Sequence, residues 1–125
     1  MPRDAIFSDR LAASAGPFSP AVRGGELIYL SGQVGQDPAT GKLVDGGVAA
    51  QTEQALRNLA AVLDAAGRTL DDVVRVGVYL TDMADFTAMN DVYARAFTQP
   101  YPARTTIGVA ALPLGAAVEI DLVAR

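Results

Sequence analysis

Two segments near the carboxyl end of the chain carry the side chains best suited to chemistry. Arg104 lies in the run Pro102-Ala103-Arg104-Thr105-Thr106, and Glu119 lies in the apolar stretch of residues 116–123. An arginine that follows a rigid proline on a strand can present its planar fork to a carboxylate. A glutamate among apolar neighbours has a raised pKa and can exchange protons with a water molecule. The alternatives are a surface salt bridge for Arg104 and a solvent-facing strand position for Glu119.

Four other residues are candidates to line a ligand site. Ser31 and Gly32 end an apolar strand candidate, where they offer a hydroxyl and a close approach of the backbone; a plain turn or bulge is an equal alternative. Asn90 lies on an apolar helical stripe, where its amide needs partners, and a structural hydrogen bond is the more common explanation. Phe18, in the loop of residues 11–20, is either a pocket lid or a hydrophobic plug.

The composition limits the chemistry to a few groups. The 125 residues include no His and no Cys, and the formal net charge is −4. These absences exclude a Ser-His-Asp triad, a thiolate nucleophile, a zinc site of the usual ligands and a disulfide framework. The acidic balance disfavours nucleic acid as a partner, because phosphate binding needs clustered Lys and Arg. We therefore expect a site built from carboxylates, arginine, hydroxyls, Asn and backbone amides.

The elements that position these residues follow one another in the order β-β-β-α-β-α-β-β. Strands are predicted at residues 5–7, 21–23, 26–34, 73–80, 103–111 and 116–124, with a tight turn at Gly24-Gly25. Apolar side chains at helical spacing predict a helix over residues 48–66 that ends at Gly67. Thr81 and Asp82 are N-cap candidates for a second helix that ends near Phe97.

This order predicts a single α/β (α+β) domain over residues 1–125, with a mixed sheet and two helices on one of its faces. If the last two strands form a hairpin, Arg104 and Glu119 lie on adjacent strands. The uncovered face is too mixed for a dry core and too extensive to stay open, so we expect it to bind another subunit. By alternation it carries Tyr29, Ser31, Gln33, Arg75, Tyr79, Arg104, Thr106, Glu119 and Asp121.

The expected location is the cytoplasm. No apolar run reaches the roughly 18 residues of a membrane span. The amino-terminal residues carry an acid and lack the apolar block of a secretory signal.

Several spaced motifs, taken together, resemble the RidA/YjgF family of reactive-intermediate deaminases, whose members are also called L-PSP endoribonucleases. The most specific motif is the run from Pro102 to Pro113, which reads PARTTIGVAALP and is followed by Val118-Glu119-Ile120. The others are GPFSPAV from Gly16, LSGQV from Leu30, QTEQALRNL from Gln51 and FTAMNDVY from Phe86. Because the motifs occur in the family's order, the resemblance covers nearly the whole chain.

The resemblance implies a chorismate-mutase-like fold that assembles as a homotrimer around a β-barrel-like centre. The three sites would lie in the clefts between subunits. The implied reaction hydrolyses enamine and imine products such as 2-aminoacrylate and 2-iminopropionate to 2-keto acids and ammonia, without metal or cofactor. The implied partner is a small imino or keto acid.

The resemblance also implies roles for single residues. Arg104 matches the arginine that grips the substrate carboxylate, and Glu119 matches the glutamate that positions water and moves protons. Ser31 and Gly32 match the serine–glycine pair at the pocket, and Asn90 matches an asparagine that supports it.

Two positions depart from the family pattern. Thr106 stands where many relatives have Cys, although its backbone N–H can still donate to a ligand. Phe18 stands where the best-known deaminases have Tyr, so a hydroxyl is missing. The Phe18 difference leaves open a non-catalytic member, or one of altered specificity, that binds small carboxylates. A ribonuclease fits the acidic, His-free composition less well.

Overall fold

The computed structural model describes residues 2–13 and 16–125. Its elements are β1 (Asp4–Ile6), β2 (Ala21–Gly24), β3 (Leu27–Val34), α1 (Gly47–Ala65), β4 (Val73–Leu80), α2 (Phe86–Ala96), β5 (Ala103–Gly108) and β6 (Val118–Ala124). The predicted element order is confirmed. The last two strands are shorter than predicted, because residues 109–117 form a loop that contains a short 3-10 turn at Pro113–Gly115.

All six strands form one sheet in the order β1-β2-β3-β6-β4-β5. Strands β4 and β5 pair in parallel, and every other pair is antiparallel, so the predicted mixed sheet is confirmed. The possible hairpin between the last two strands is wrong, because β4 lies between β5 and β6.

The connection from β5 to β6 explains this topology. Strand β5 runs parallel to β4, so both strands end at the same edge of the sheet. There the backbone N–H of Val109 donates to the Leu80 carbonyl. The loop then passes over that end, and the N–H of Thr81 donates to the carbonyl of Ala117. Strand β6 therefore returns on the other side of β4.

Helix α1 forms because its apolar residues recur every three or four positions and meet an apolar sheet face. Leu59, Val62 and Leu63 are fully buried on that stripe. On the sheet, every second residue of β6 is buried, beginning with Val118 and Ile120. Gly67 has a φ of 73°, so the chain leaves the helix through the left-handed turn that the glycine predicted.

The start of α2 differs slightly from the prediction. The Asp82 carboxylate accepts a hydrogen bond from the N–H of Ala84, but it caps the short 3-10 turn Met83–Asp85 and not α2 itself. Helix α2 follows directly at Phe86. Its inner face buries Met89 and Tyr93.

Two residues of β5 face the opposite way from the prediction. Arg104 pairs in register with Val76, and Thr106 pairs with Val78; both valines are fully buried under the helices. Neighbours in register point to the same face, so Arg104 and Thr106 lie on the helix side. When a strand shifts by one residue against its neighbour, every side chain moves to the opposite face of the sheet. The alternation of residues within one strand does not show which of the two sets faces the helices.

The other face of the sheet is uncovered in a single subunit. Tyr29 is 50% exposed there, and Arg75 donates to the hydroxyl of Thr105 at 3.3 Å. The Tyr79 hydroxyl donates to Asp121 at 2.9 Å across the β4–β6 pair. This face carries both apolar and polar side chains, and its binding to another subunit stays a prediction.

Candidate active site

Arg104 is held by aromatic and sulfur contacts. Its guanidinium lies 4.6 Å from the centre of the Tyr93 ring and 5.7 Å from that of Phe86. One guanidinium nitrogen lies 4.0 Å from the sulfur of Met89. No ion pair within residues 2–13 and 16–125 includes Arg104. A half-buried guanidinium without an acid partner keeps its donors available for an external anion.

A cavity of about 280 Å³ adjoins this arginine. The residues that line it are Asn90, Tyr93, Ala94, Tyr101, Pro102 and Arg104. The side chain of Asn90 forms no hydrogen bond with any residue that the structure describes, so the structural bond suggested as an alternative is not found. Asn90 thus lies beside Arg104 with its amide available. We call this group the arginine half-site.

Two hydroxyls on the same side of the sheet lack partners. The oxygens of Tyr93 and Thr106 are buried and form no hydrogen bond within the described part of the chain. Burial raises the pKa of Tyr93, while the nearby positive charge of Arg104 opposes that rise, although no well-oriented hydrogen bond joins the two groups. Tyr93 therefore stays protonated at neutral pH. Thr106 does not line the arginine cavity.

Glu119 lines a second and larger cavity of about 520 Å³, together with Phe18, Ser31 and Gly32. The Ser31 hydroxyl donates to the carbonyl of Ser19 at 2.6 Å. The N–H of Ser31 donates to the carbonyl of Pro20 at 2.9 Å. Ser31 thus fixes the loop that carries Phe18, and its hydroxyl proton is already engaged. We call Phe18, Ser31, Gly32 and Glu119 the glutamate half-site.

Gly32 makes room for Glu119. A Cβ atom at position 32 would collide with the Glu119 carboxylate. The pairing of β3 with β6 is irregular at this point, between Leu30 and Gln33. The bulge given as an alternative for Ser31-Gly32 is therefore found, and it brings the Glu119 carboxylate against the backbone of β3.

The environment of Glu119 favours its protonated form. Burial is the main cause that raises the pKa of its carboxyl, and the negative charge of Asp121 on the same strand adds to the rise. No hydrogen bond to Glu119 is found among the residues that the structure describes. A carboxylate that is poorly solvated and unpaired is suited to take a proton from water.

Two buried polar residues of α1 support this half-site and were not singled out from the sequence. The Asn58 amide donates to the carbonyl of Gln36 at 2.9 Å and to that of Val34 at 3.3 Å. The side-chain oxygen of Gln51, Oε1, accepts a hydrogen bond from the N–H of Ala117 at 2.8 Å. Ala117 lies two residues before Glu119. The sequence places these two polar residues on an otherwise apolar helix face, and this pattern indicates buried side chains that need hydrogen-bond partners.

The two half-sites do not meet within one subunit. Arg104 lies on the helix side of β5, whereas Glu119 shares the open face with Tyr79, its register partner on β4. Arg104 is in register with Val76, three residues from Tyr79 on the same strand, which separates the pairs by about 10 Å along the strand direction. Each residue lines its own cavity.

Comparison with known proteins places the chain in a family. Residues 8–125 match the family described as Endoribonuclease L-PSP. The chain belongs to this family. It is 47% identical to the 2-iminobutanoate/2-iminopropanoate deaminase of Bos taurus over 98% of this chain and 89% of that protein. It is 48% identical to protein DfrA of Myxococcus xanthus over 99% of this chain and 96% of that protein.

Solved structures of L-PSP family members share the fold. RidA from the Antarctic bacterium Psychrobacter sp. PAMC 21119 superposes with a TM-score of 0.94 at 44% identity, covering 98% of this chain and 99% of that one. E. coli TdcF with bound serine superposes with a TM-score of 0.91 at 32% identity and 97% coverage of both chains. The family membership predicted from the spaced motifs is confirmed. No helix in the described ranges is long and apolar enough to cross a membrane.

Proposed function

We propose that this protein hydrolyses small 2-imino acids to 2-keto acids and ammonia. The observation that carries the proposal is the guanidinium of Arg104, which is half-buried, oriented by aromatic rings and without an acid partner. Support comes from the unpaired Glu119 and from a bovine relative that is named as a deaminase of such imines.

Arg104 would bind the substrate carboxylate. Two parallel N–H donors of a guanidinium match the two oxygens of a carboxylate, and the pairing fixes the plane of the ligand. The ring of Tyr93 supports the flat side of the guanidinium, so less side-chain freedom is lost when the ligand binds. Asn90 lies in the same cavity and offers an amide for the remaining polar atoms of the ligand.

Glu119 would move the protons. As the water oxygen bonds to the imine carbon, the Glu119 carboxylate accepts a proton from the water. It gives that proton to the nitrogen, which yields a carbinolamine. It then accepts the hydroxyl proton and passes it to the nitrogen as the carbon–nitrogen bond breaks and the carbonyl forms. The water oxygen remains in the keto acid and both water hydrogens leave with ammonia, so the atoms balance. An imine carbon is already electrophilic, and one base with a positioned water suffices.

A second copy of the chain would complete the site. Arg104 and Glu119 occupy separate cavities on opposite sides of the sheet, so one subunit cannot present both to one small substrate. The homotrimer that the family resemblance implies would place the arginine half-site of one subunit against the glutamate half-site of the next. It would also cover the open face around Tyr29.

One observation favours a second candidate, a protein that binds carboxylates without converting them. Phe18 is 55% exposed at the glutamate half-site and carries no hydroxyl to position water. In that case Arg104 would still hold its ligand. The ribonuclease named in the family description is disfavoured by the net charge of −4 and the absence of His.

The test is a deaminase assay in which an amino-acid oxidase generates 2-iminobutanoate and ammonia release from the imine is followed. We expect Glu119→Gln to lower turnover by about 10² to 10⁴-fold, the usual range for a lost acid–base group. Arg104→Ala should abolish both turnover and calorimetric binding of 2-ketobutyrate, whereas Glu119→Gln should keep the binding.

Arg57→Ala is the matched control, because Arg57 is exposed and pairs only with Glu53 on the outer surface of α1. Full activity in Arg104→Ala would refute the proposal. Binding of 2-ketobutyrate without any turnover in the unaltered protein would favour the second candidate.

A further inference from the structure

We propose that the preferred substrates are 2-imino acids with large apolar side chains, and that Leu114 contacts those side chains. This inference rests on the proposed function. Its basis is the shape and lining of the cavity beside Glu119 and the unusual backbone of Leu114.

The cavity is larger than a small imino acid requires. Its volume of about 520 Å³ lies within the range of pockets that enclose drug-sized ligands, roughly 300 to 1,000 Å³. The arginine half-site of the next subunit would close this cavity from one side, and the single methyl group of 2-iminopropionate would contact little of its apolar lining. A bulky side chain would contact more of that lining.

The lining of the cavity favours an apolar occupant. Among the described residues that line it, Glu119 is the only charged one, and the apolar part includes Leu11, Phe18, Pro113 and Leu114. Phe18, where a tyrosine would add a hydroxyl, extends the apolar surface. Burying apolar surface here would contribute to binding without new polar contacts.

Within the described part of the chain, three of the four uncharged polar side chains that line the cavity already have partners. The hydroxyl of Ser31 donates to Ser19, the amide of Gln36 donates to the carbonyl of Gly41 at 2.8 Å, and the amide of Asn58 donates to Gln36. At these three positions a polar substrate side chain would have to compete with existing hydrogen bonds, and among the described lining residues the amide of Gln33 is the one left without a partner. An apolar side chain has no such requirement.

Leu114 occupies a position where packing within the subunit does not require a leucine. Its φ of 61° lies in the left-handed region, and no other non-glycine residue of residues 2–13 and 16–125 has a positive φ. Its side chain is 59% exposed in the subunit, so packing does not explain it. Strained backbone of this kind is common at functional sites. Because Leu114 lines the cavity, an apolar ligand is a partner that accounts for it.

The experiment compares imines of increasing size, generated by an amino-acid oxidase from alanine, leucine and phenylalanine. One methylene in a hydrophobic pocket changes kcat/KM by about 10 to 200-fold. We therefore expect the leucine-derived imine to exceed 2-iminopropionate by about tenfold or more in kcat/KM. Leu114→Gly should remove most of that difference and leave turnover of 2-iminopropionate within a few-fold.

Two controls separate an effect on substrate binding from effects on folding and side-chain size. Leu114→Met preserves side-chain size and should preserve the preference. The melting temperature of Leu114→Gly should change little, because glycine adopts a positive φ without strain and this offsets its larger unfolded entropy. Size-exclusion chromatography reports whether the variant keeps its assembly.

The outcomes separate this inference from the proposed function. Equal or better turnover of 2-iminopropionate in the unaltered protein overturns the inference alone. Loss of assembly in Leu114→Gly also overturns it, because Leu114 would then belong to a subunit interface. Failure to convert any of the imines overturns the proposed function together with the inference.

Discussion

The carboxyl group of Glu119 is tuned by one neighbour that a single substitution can remove. Burial and the charge of Asp121 both raise the pKa of Glu119, and Asp121 lies two residues away on the same face of β6. A base acts only when it is ionised, so activity should fall as the pH falls through the raised pKa. The acidic limb of the pH profile thus reports this environment.

We predict that Asp121→Asn shifts the acidic limb of kcat/KM to lower pH. The substitution removes the negative charge that disfavours ionisation of Glu119, so the pKa of Glu119 falls toward its ordinary value. The asparagine oxygen still accepts the hydrogen bond from Tyr79, which preserves the local structure. The measurement is a pH series of kcat/KM with 2-iminobutanoate.

Asp64→Asn is the control, because Asp64 is exposed on α1 and pairs only with Arg10. Its pH profile should match that of the unaltered protein. An acidic limb that stays in place in Asp121→Asn would contradict the assignment of Glu119 as the base.

At the residue scale, the sequence identified which side chains are candidates for the site, but it did not predict the residues that each of them contacts. Arg104 and Glu119 stood out because a cation and an acid occur on strands next to apolar residues. The engagement of the Ser31 hydroxyl by Ser19 was not predictable, since it depends on how the Phe18 loop folds back on β3. The same holds for the rings that support Arg104.

At the scale of elements, local patterns gave the strands and helices but not the order of the strands. Strand β4 separates β5 from β6 because the loop of residues 109–117 crosses its end. Sequence alternation records which residues share a face, whereas the crossing depends on long-range pairing. The reversed phase of Arg104 and Thr106 has the same cause. The helices were more predictable because their apolar stripes are local.

We predict that Asn58→Ala lowers the free energy of unfolding by about 1–3 kcal/mol, because the buried carbonyls of Val34 and Gln36 lose their donor. Asn58 joins α1 to the segment that follows β3, so this is a property of two packed elements. Urea denaturation measures the change. Turnover should also fall, because Val34 and Gln36 line the cavity of Glu119.

Arg57→Ala, one residue away on the exposed side of α1, should change the free energy of unfolding by less than about 1 kcal/mol. If the two substitutions have equal effects, the amide of Asn58 is not what holds these elements together.

At the scale of the whole molecule, the open sheet face and the separated half-sites lead to the same requirement. The face around Tyr29 and Tyr79 is uncovered in a single subunit, and the proposed function needs a second copy to bring Arg104 and Glu119 together. The alternation along the strands predicts a subunit interface, whereas the separation of Arg104 from Glu119 follows only from the topology.

We predict that two inactive variants restore activity when they assemble together. In a trimer where each site takes Arg104 from one subunit and Glu119 from the next, every mixed assembly of Arg104→Ala with Glu119→Gln has both intact residues in about a third of its sites. Co-expression with two affinity tags, followed by purification on both, isolates the mixed assemblies. Their specific activity with 2-iminobutanoate is the measurement.

Co-expression of Arg104→Ala with the double variant Arg104→Ala/Glu119→Gln is the matched control, because no site in that mixture contains the arginine. It should stay inactive. Activity in the first mixture and not in the control shows that the two residues act across an interface, since neither chain alone carries both. If the first mixture also stays inactive while each variant assembles, the site lies within one subunit. Arg104 and Glu119 would then have to reach each other by a rearrangement of β5 around the edge of the sheet.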